Sequence, residues 1–280
     1  MDLLDPASGT TQSLSLNLPH SRFYASSQGA QLFSDGTVAL VGGASSDENL
    51  KQVLILDLVS YNFTVSSEPA ILQSNRIHRP ATTMVDHCLY LCGGYDVENA
   101  ILTNACGKLC KEGTEFDWQL IDPVPFVAQV SRLVYLDNTL YLLGGYDGLA
   151  ALKVMYSFAL PNGPWQQRPN MSSPRDQAIV AVLKEEIFVC GGQNSEYLAS
   201  CQKYSPTSDS WSGLPSMTEK RKGGALKVVD GKLYAVSGIN GENPDNAQQS
   251  VEVFDPETSA WTRLGDMLPR DRNDAAFVLI

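Results

Sequence analysis

Six cysteines and three histidines are the residues of this 280-residue chain best equipped for chemistry: Cys88, Cys92, Cys106, Cys110, Cys190 and Cys201, with His20, His78 and His87. The Cys-x-x-x-Cys spacing of Cys88 and Cys92 invites a zinc reading. Along an extended strand, however, two residues four apart share a face about 13 Å from each other, too far for one tetrahedral ion. A second pattern pairs Cys92 with Cys106 and Cys190 with Cys201. Cys92 and Cys190 each directly precede a diglycine, and their partners follow 14 and 11 residues later, as facing residues of a hairpin do. Disulfides in an oxidising compartment and small buried thiols in a cytosolic one are both open to such neighbours; buried free thiols are the expectation. His87 falls in a predicted strand turn, and His20 and His78 between strands. No carboxylate pattern accompanies them, and there is no Gly-x-Ser-x-Gly elbow or phosphate loop. The chain is expected to hold no metal or cofactor, to have no catalytic residues and not to be an enzyme.

Composition narrows the remaining classes. The chain is 43% hydrophobic and 18% charged, ordinary for a globular domain. A net charge of −11 works against nucleic-acid binding, because a phosphate backbone would be repelled. Lys220-Arg221-Lys222 is the one local basic run and reads as a solvated loop. The longest apolar runs are about six residues, as in Ala275–Ile280, so no segment is long enough for a membrane-spanning helix. Met1–Leu18 lacks the basic and apolar stretches of a signal peptide, and a cytoplasmic location is expected. Two triplets, Asn62-Phe63-Thr64 and Asn170-Met171-Ser172, are glycosylation acceptors only if the chain is secreted.

The elements that must position these residues repeat. Gly42-Gly43, Gly93-Gly94, Gly144-Gly145, Gly191-Gly192 and Ser237-Gly238 follow one another at intervals of 51, 51, 47 and 46 residues, and a period of this length marks a repeat architecture. Each step ends an apolar run and is followed about 20 residues later by an aromatic, namely Phe63, Trp118, Trp165, Trp211 or Trp261. Within one unit, Ala225–Val229, Lys232–Val236, Ser250–Phe254 and Trp261–Leu264 read as four short antiparallel strands, the first two joined by the Asp230-Gly231 turn. One such sheet cannot cover both its faces alone, so copies must stack face to face. The glycines allow a sharp bend and close approach near a crowded centre. Each Trp supplies an apolar plate between neighbouring sheets. An aromatic lies seven residues before Trp165, Trp211 and Trp261, at Phe158, Tyr204 and Phe254.

A diglycine at a strand end, a Tyr or Phe before an Asp-Pro-like turn and then Trp together resemble the kelch motif, most closely in Tyr146-Asp147-Gly148 after a diglycine and in Phe254-Asp-Pro-Glu-Thr-Ser-Ala-Trp261. The resemblance covers essentially the whole chain. It implies an all-β kelch-type β-propeller of six blades, each of four antiparallel strands, forming one domain over residues 1–280. Five complete repeats are expected at about 20–70, 72–122, 124–169, 171–215 and 217–267. The second is irregular, with a longer loop over Cys106–Gly113. Residues 1–16, with Leu4 and Thr11 at the Tyr and Trp positions, and residues 270–280 are expected to share a sixth blade. Its diglycine would fall at about 287, beyond Ile280, so a fragment of a longer protein or a ring with one thin blade is expected.

The resemblance also implies a function on the loop face: binding of a protein or peptide partner by a domain that is itself monomeric. In kelch proteins of the cullin-adaptor type, arginines on this face are presented to acidic peptides. Arg175 and Arg221 sit 13 residues before the second-strand aromatics Phe188 and Tyr234 of their blades, and Arg272 the same distance before the projected equivalent; the three are expected to play that part, with Arg22 and Arg76 nearby. Tyr95, Tyr146 and Asn240 fall on the same rim. The substrate-recognition part of a ubiquitin-ligase adaptor and an actin-associated scaffold are the forms this takes. A secreted or cell-surface propeller with disulfides, binding protein or carbohydrate, is the alternative, and a metal-dependent propeller enzyme the less favoured one.

Overall fold

The structure is a computed structural model, and it describes residues 2–5, 10–13, 30–33, 35–40, 53–57, 60, 62–65, 77–97, 99–113, 115–241 and 249–266. The 25 strands among the described residues begin with a hairpin, β1 (Asp2–Asp5) and β2 (Thr10–Ser13). Blade 1 comprises β3 (Ala30–Leu32), β4 (Thr37–Leu40), β5 (Leu54–Asp57) and β6 (Phe63–Val65). Next comes β7 (Ile77–His78), then β8 (Ala81–Val85) and β9 (Cys88–Cys92). The short β10 (Tyr95–Asp96) and β11 (Ile101–Leu102) precede β12 (Cys106–Glu112) and β13 (Glu115–Ile121). Blade 2 is β8, β9, β12 and β13, while β7, β10 and β11 form a small separate sheet. Blade 3 is β14 (Arg132–Leu136), β15 (Thr139–Leu143), β16 (Met155–Ala159) and β17 (Trp165–Arg168). Blade 4 is β18 (Ile179–Leu183), β19 (Glu186–Cys190), β20 (Cys201–Ser205) and β21 (Ser210–Leu214). Blade 5 is β22 (Ala225–Val229), β23 (Lys232–Val236), β24 (Ser250–Asp255) and β25 (Ala260–Asp266).

All pairings within the five four-stranded sheets are antiparallel, and the architecture is an all-β propeller. In the β1–β2 hairpin Leu4 faces Thr11, the positions the spacing gave to the third and fourth strands of a sixth blade. Residues 267–280, which include the expected first strand of that blade, lie outside the described residues, as do Gly42 and Gly43.

Packing runs from blade to blade. Leu133 of β14 joins Ala81 and Val85 of β8 in one core; Val134 and Leu143 of blade 3 join Ile187, Val189 and Tyr204 of blade 4 in another. A third core sets Ile179 and Phe188 against Leu226 and Phe254, and a fourth sets Phe33 and Ile55 against Leu89 and Leu109. Full burial of each Phe or Leu contributes about 1.5–3 kcal/mol. The seven-residue aromatic spacing is a hairpin pair: Phe158 faces Trp165, Tyr204 faces Trp211 and Phe254 faces Trp261, with ring centroids 5.1, 5.3 and 5.2 Å apart. Each of these indoles also donates across the seam, Trp165 Nε1 to Asp122 O, Trp211 Nε1 to Pro169 O and Trp261 Nε1 to Pro215 O, at 2.8, 2.8 and 3.1 Å. Trp118 Nε1 is buried without an acceptor among the described residues; the same sequence offset of 42 to 46 residues leads back to residues 72–76, which are not described.

The second repeat departs from expectation. Cys106–Glu112 is not a loop but a seven-residue strand paired along its length with β13, and Trp118 faces Leu109 instead of an aromatic. Two longer strands absorb the extra residues, because every added backbone N–H and C=O then finds a ladder partner. The six cysteines are a second correction: none is a free thiol. Cys92–Cys106 and Cys190–Cys201 occupy the facing positions read from the sequence, and Cys88–Cys110 adds a third disulfide. Facing residues on adjacent strands, here with Cα atoms 4.0 to 4.2 Å apart, bring their sulfurs within bonding reach without bending the chain.

The diglycines lock successive blades. In three steps the second glycine donates its N–H to a carbonyl on the segment leading into the next blade: Gly94 to Ala128, Gly145 to Arg175 and Gly192 to Arg221, at 2.8, 2.9 and 2.7 Å. A Cβ on Gly93 would lie 2.6 Å from that same Ala128 oxygen, and Cβ atoms on Gly144 and Gly191 would come closer still to the Arg175 and Arg221 oxygens. Gly145 has φ +104°, and a Cβ there would lie 2.9 Å from Gln129 O and collide with the Ser131 hydroxyl. Gly145→Ala is therefore expected to cost at least about 2 kcal/mol. Gly213→Ala, where a Cβ meets nothing within 4 Å, should be neutral. Denaturant unfolding of the two variants checks the contrast.

Candidate functional site

The locking bonds leave a row of loops on one face, each built to the same plan. After the diglycine, the chain pairs with the lead-in of its own blade: Asp96 with Ile77, Tyr146 with Gln129, Gln193 with Asp176 and Ile239 with Lys222. In three of these loops the next polar side chain closes an Asx turn. Asp96 Oδ1 accepts the Asn99 N–H at 3.1 Å, Asp147 Oδ1 those of Leu149 and Ala150 at 2.8 Å, and Asn194 Oδ1 that of Glu196 at 3.0 Å. The backbone donors of Ala150 and Leu149 hold the Asp147 carboxyl below its ordinary value. Asn240 follows the Ser237-Gly238 step at the matching position.

These turns present apolar side chains to solvent. Leu149, at the apex of the 147–150 turn, is 90% exposed, and Ile101 on β11 is 55% exposed. Gly148 lies against Leu102, whose Cδ1 would be 3.6 Å from a Cβ at that glycine, so the blade 3 turn rests on the blade 2 hairpin and Leu149 and Ile101 occupy adjoining loops. Tyr146 is half-buried and its hydroxyl donates to Gly148 O at 3.0 Å, while Tyr95 pairs with both His78 and Leu102. Between blades 4 and 5, Lys222 Nζ donates to Gln193 Oε1 at 2.5 Å and lies 5.6 Å from the centre of the Tyr197 ring. Among the described residues, the inner strands β8, β14, β18 and β22 line a central cavity of about 260 Å³, below the usual span of ligand pockets. Burial depresses the Lys227 ammonium there.

The arginines of the rim are the main correction. Arg175 is 2% and Arg221 0% exposed, so neither is offered to a partner. Arg175 Nη1 donates to Gly191 O and Ser200 O at 2.7 and 2.8 Å, and Nη2 to Ser200 Oγ at 2.8 Å. Arg221 repeats this on Ser237 O, Ser250 O and Ser250 Oγ at 2.9, 3.1 and 2.9 Å. Each is a staple: its carbonyl holds the preceding blade's diglycine, and its guanidinium holds the diglycine strand end of its own blade. A five-donor fork is suited to several carbonyls at once. The basic run dissolves for the same reason, since Arg221 turns inward while Lys220 lies 3.4 Å from Glu196 and Lys222 bonds Gln193. Arg22, Arg76 and Arg272 lie outside the described residues.

The two staples differ in one partner. Arg221 Nη2 is 3.0 Å from Glu252 Oε1, both side chains fully buried, and Glu252 Oε2 accepts the N–H and hydroxyl of Thr218 at 2.6 Å each. Burial lowers the Arg221 guanidinium, and the Glu252 carboxylate opposes that. In blade 4 the corresponding residue is Gln202, which accepts the N–H and hydroxyl of Ser172 at 3.1 Å each but brings no charge. Among the described residues, Arg175 Nε and Gln202 Nε2 are both left as buried donors without acceptors, and burial lowers the Arg175 pKa to about 10. Sequence reading missed this pair; its signal is the Gln-for-Glu exchange two residues after Ser200 and Ser250.

A sequence model described as the KLHDC2/KLHL20/DRC7 Kelch-repeats domain matches residues 81–278. The chain belongs to the kelch-repeat family. It is 28% identical over 151 residues to the kelch repeat and BTB domain-containing protein F47D12.7 of Caenorhabditis elegans, covering 52% of this chain and 26% of that protein. It is 30% identical over 142 residues to beta-scruin of Limulus polyphemus, covering 46% and 16%. Similarity to kelch-like protein 25 of Xenopus tropicalis, 19% over 253 residues, covers 88% of this chain and 41% of that one. The chain thus spans less than half of each of these relatives. Kelch relatives of this kind support a protein-interaction module as the general role.

Gln202→Glu, which would give Arg175 the carboxylate that Arg221 already has, is expected to stabilise the chain by about 1–3 kcal/mol. Glu252→Gln should destabilise it by a similar amount. Denaturation midpoints at neutral pH check both signs.

Proposed function

We propose that this kelch propeller binds a partner protein through its loop face, with Leu149 and Ile101 as the apolar anchor and Tyr95, Tyr146 and Asn240 beside it, and that it is not itself an enzyme. The observation that carries this reading is the exposure of Leu149 at the tip of a turn braced by two backbone bonds to Asp147. A rigid, solvated apolar side chain loses little entropy on docking and gains its full burial. The BTB domain in the name of one relative supports an adaptor as the form of the whole protein. An acidic peptide as the partner now rests on Arg22, Arg76 and Arg272 alone, because Arg175 and Arg221 are committed inside the frame.

The three disulfides favour a second reading of where the module works, in an oxidising compartment in place of the cytoplasm. Titration of the purified chain with a thiol reagent under denaturing, non-reducing conditions separates the two. No reactive thiol supports the extracellular form, and six support the cytoplasmic one.

Leu149→Asp is expected to weaken partner binding by about tenfold or more with the unfolding midpoint unchanged. Leu264→Asp, on the outer strand β25 and 42% exposed, should leave binding intact. Affinity capture followed by titration of the captured partner makes the comparison. Equal binding by wild type and Leu149→Asp would refute the loop-face reading.

A further inference from the structure

We propose that His87, Cys88 and Cys110 form a redox-gated site for zinc. The His87 ring nitrogen lies within 4.8 Å of both sulfurs, which are bonded to each other in the Cys88–Cys110 disulfide. Tetrahedral zinc, with bonds of about 2.3 Å to sulfur and 2.0–2.1 Å to nitrogen, needs such ligand atoms roughly 3.5–3.8 Å apart, so the sulfurs must part to that separation on reduction while the imidazole is already within reach. No other triad of His, Cys, Asp or Glu among the described residues comes as close together.

The local fold sets all three ligands. Cys88 opens β9 and faces Cys110 of β12 directly. His87 is the second residue of the two-residue turn between β8 and β9, where Asp86 takes a φ of +52°. The His87 carbonyl accepts the N–H of Lys111 at 3.0 Å, which pins the turn to the residue after Cys110. Lys111 itself points elsewhere, its ammonium held by Asp35 and by Thr37 Oγ1, so no fixed cation competes for the site. Cys88 and Cys110 pack into the core between blades 2 and 3 while His87 is exposed, giving the ion an apolar wall and one open side for a water as fourth ligand. The other two disulfides, Cys92–Cys106 and Cys190–Cys201, have the same strand geometry but no third ligand among the described residues.

The disulfide gates the site because only thiolates bind zinc strongly. Two molecules of a thiol reductant cleave the Cys88–Cys110 bond, becoming one disulfide and leaving a protonated thiol on each cysteine. Zinc then displaces both thiol protons to solvent, and the neutral His87 imidazole gives its lone pair. Exchange with a small-molecule disulfide reverses this: the Cys88–Cys110 S–S bond re-forms, the oxidant's own S–S bond breaks and takes up the two electrons and two protons from solvent to give two thiols, and the ion is expelled. The second and third strands of blade 2 are therefore clamped in either compartment, by a covalent bond or by a metal.

Titration of the full chain with Co²⁺ as a spectroscopic stand-in for zinc tests this, after phosphine reduction under anaerobic conditions. One equivalent is expected to bind with thiolate-to-metal charge-transfer and tetrahedral ligand-field bands, both displaced by Zn²⁺; the oxidised chain should show neither. Cys88→Ser with Cys110→Ser should abolish the bands, while Cys92→Ser with Cys106→Ser and Cys190→Ser with Cys201→Ser should keep them. His87→Ala, a change in an exposed turn that leaves the core alone, should weaken binding by about tenfold or more. Absence of the bands in the reduced wild-type chain, their persistence without Cys88 and Cys110, or unchanged affinity in His87→Ala would each overturn the proposal.

Discussion

One contact fixes the rest of this structure: the N–H of a diglycine held by a carbonyl of the next blade, at Gly94–Ala128, Gly145–Arg175 and Gly192–Arg221. It requires two residues without Cβ in succession, since a methyl at the first would strike the carbonyl being bound and one at the second would strike the lead-in of its own blade. The stacking of blades, the depth of the cores between them and the placement of the loops all follow from that approach distance. Around it, the indole bonds of Trp165, Trp211 and Trp261 hold the outer side of each seam as the diglycine holds the inner. A seam bonded at both edges keeps neighbouring blades from sliding, with side-chain packing between those edges.

The same contact separates frame from function. Arg175 and Arg221 are long, charged and on a loop face, yet their carbonyls belong to the lock and their guanidiniums close over the neighbouring strand ends. Among the described residues of that face, Leu149 and Ile101 stand exposed, and Leu149 is carried on a braced turn. Burying Arg175 without a carboxylate leaves its staple under-satisfied among the described residues, and blade 5 shows the same staple completed by Glu252.

Much of the frame was legible because it depends on few residue types. Glycines form the locks at Gly94, Gly145 and Gly192, a large flat ring with a donor fills the seams of Trp165, Trp211 and Trp261, and both recur at intervals the eye can measure, with Ser237 and Phe63 as departures. The facing of Cys92 with Cys106 and of Cys190 with Cys201 followed from hairpin counting. The pairing of Cys88 with Cys110 did not, although it lies four residues further along the same register, because Cys106–Gly113 read as a loop instead of a strand. The arginines misled for a different reason: spacing gives the position of a Cα, while the direction of a flexible side chain is decided by which acceptors lie unpaired nearby. The exposure of Leu149 was equally invisible, since a leucine in a loop reads as cover for a core until the turn that lifts it away is seen.

Hydrogen exchange of backbone amides, followed by NMR, measures the lock itself. If the diglycine contact is the constraint on which the fold rests, the Gly94, Gly145 and Gly192 amides will exchange only through global unfolding, with the same free energy as the inner-strand amides of β14, β18 and β22. Exchange of these three glycines at the rate of exposed loop amides would contradict the account, leaving the blades to be held by side-chain packing alone.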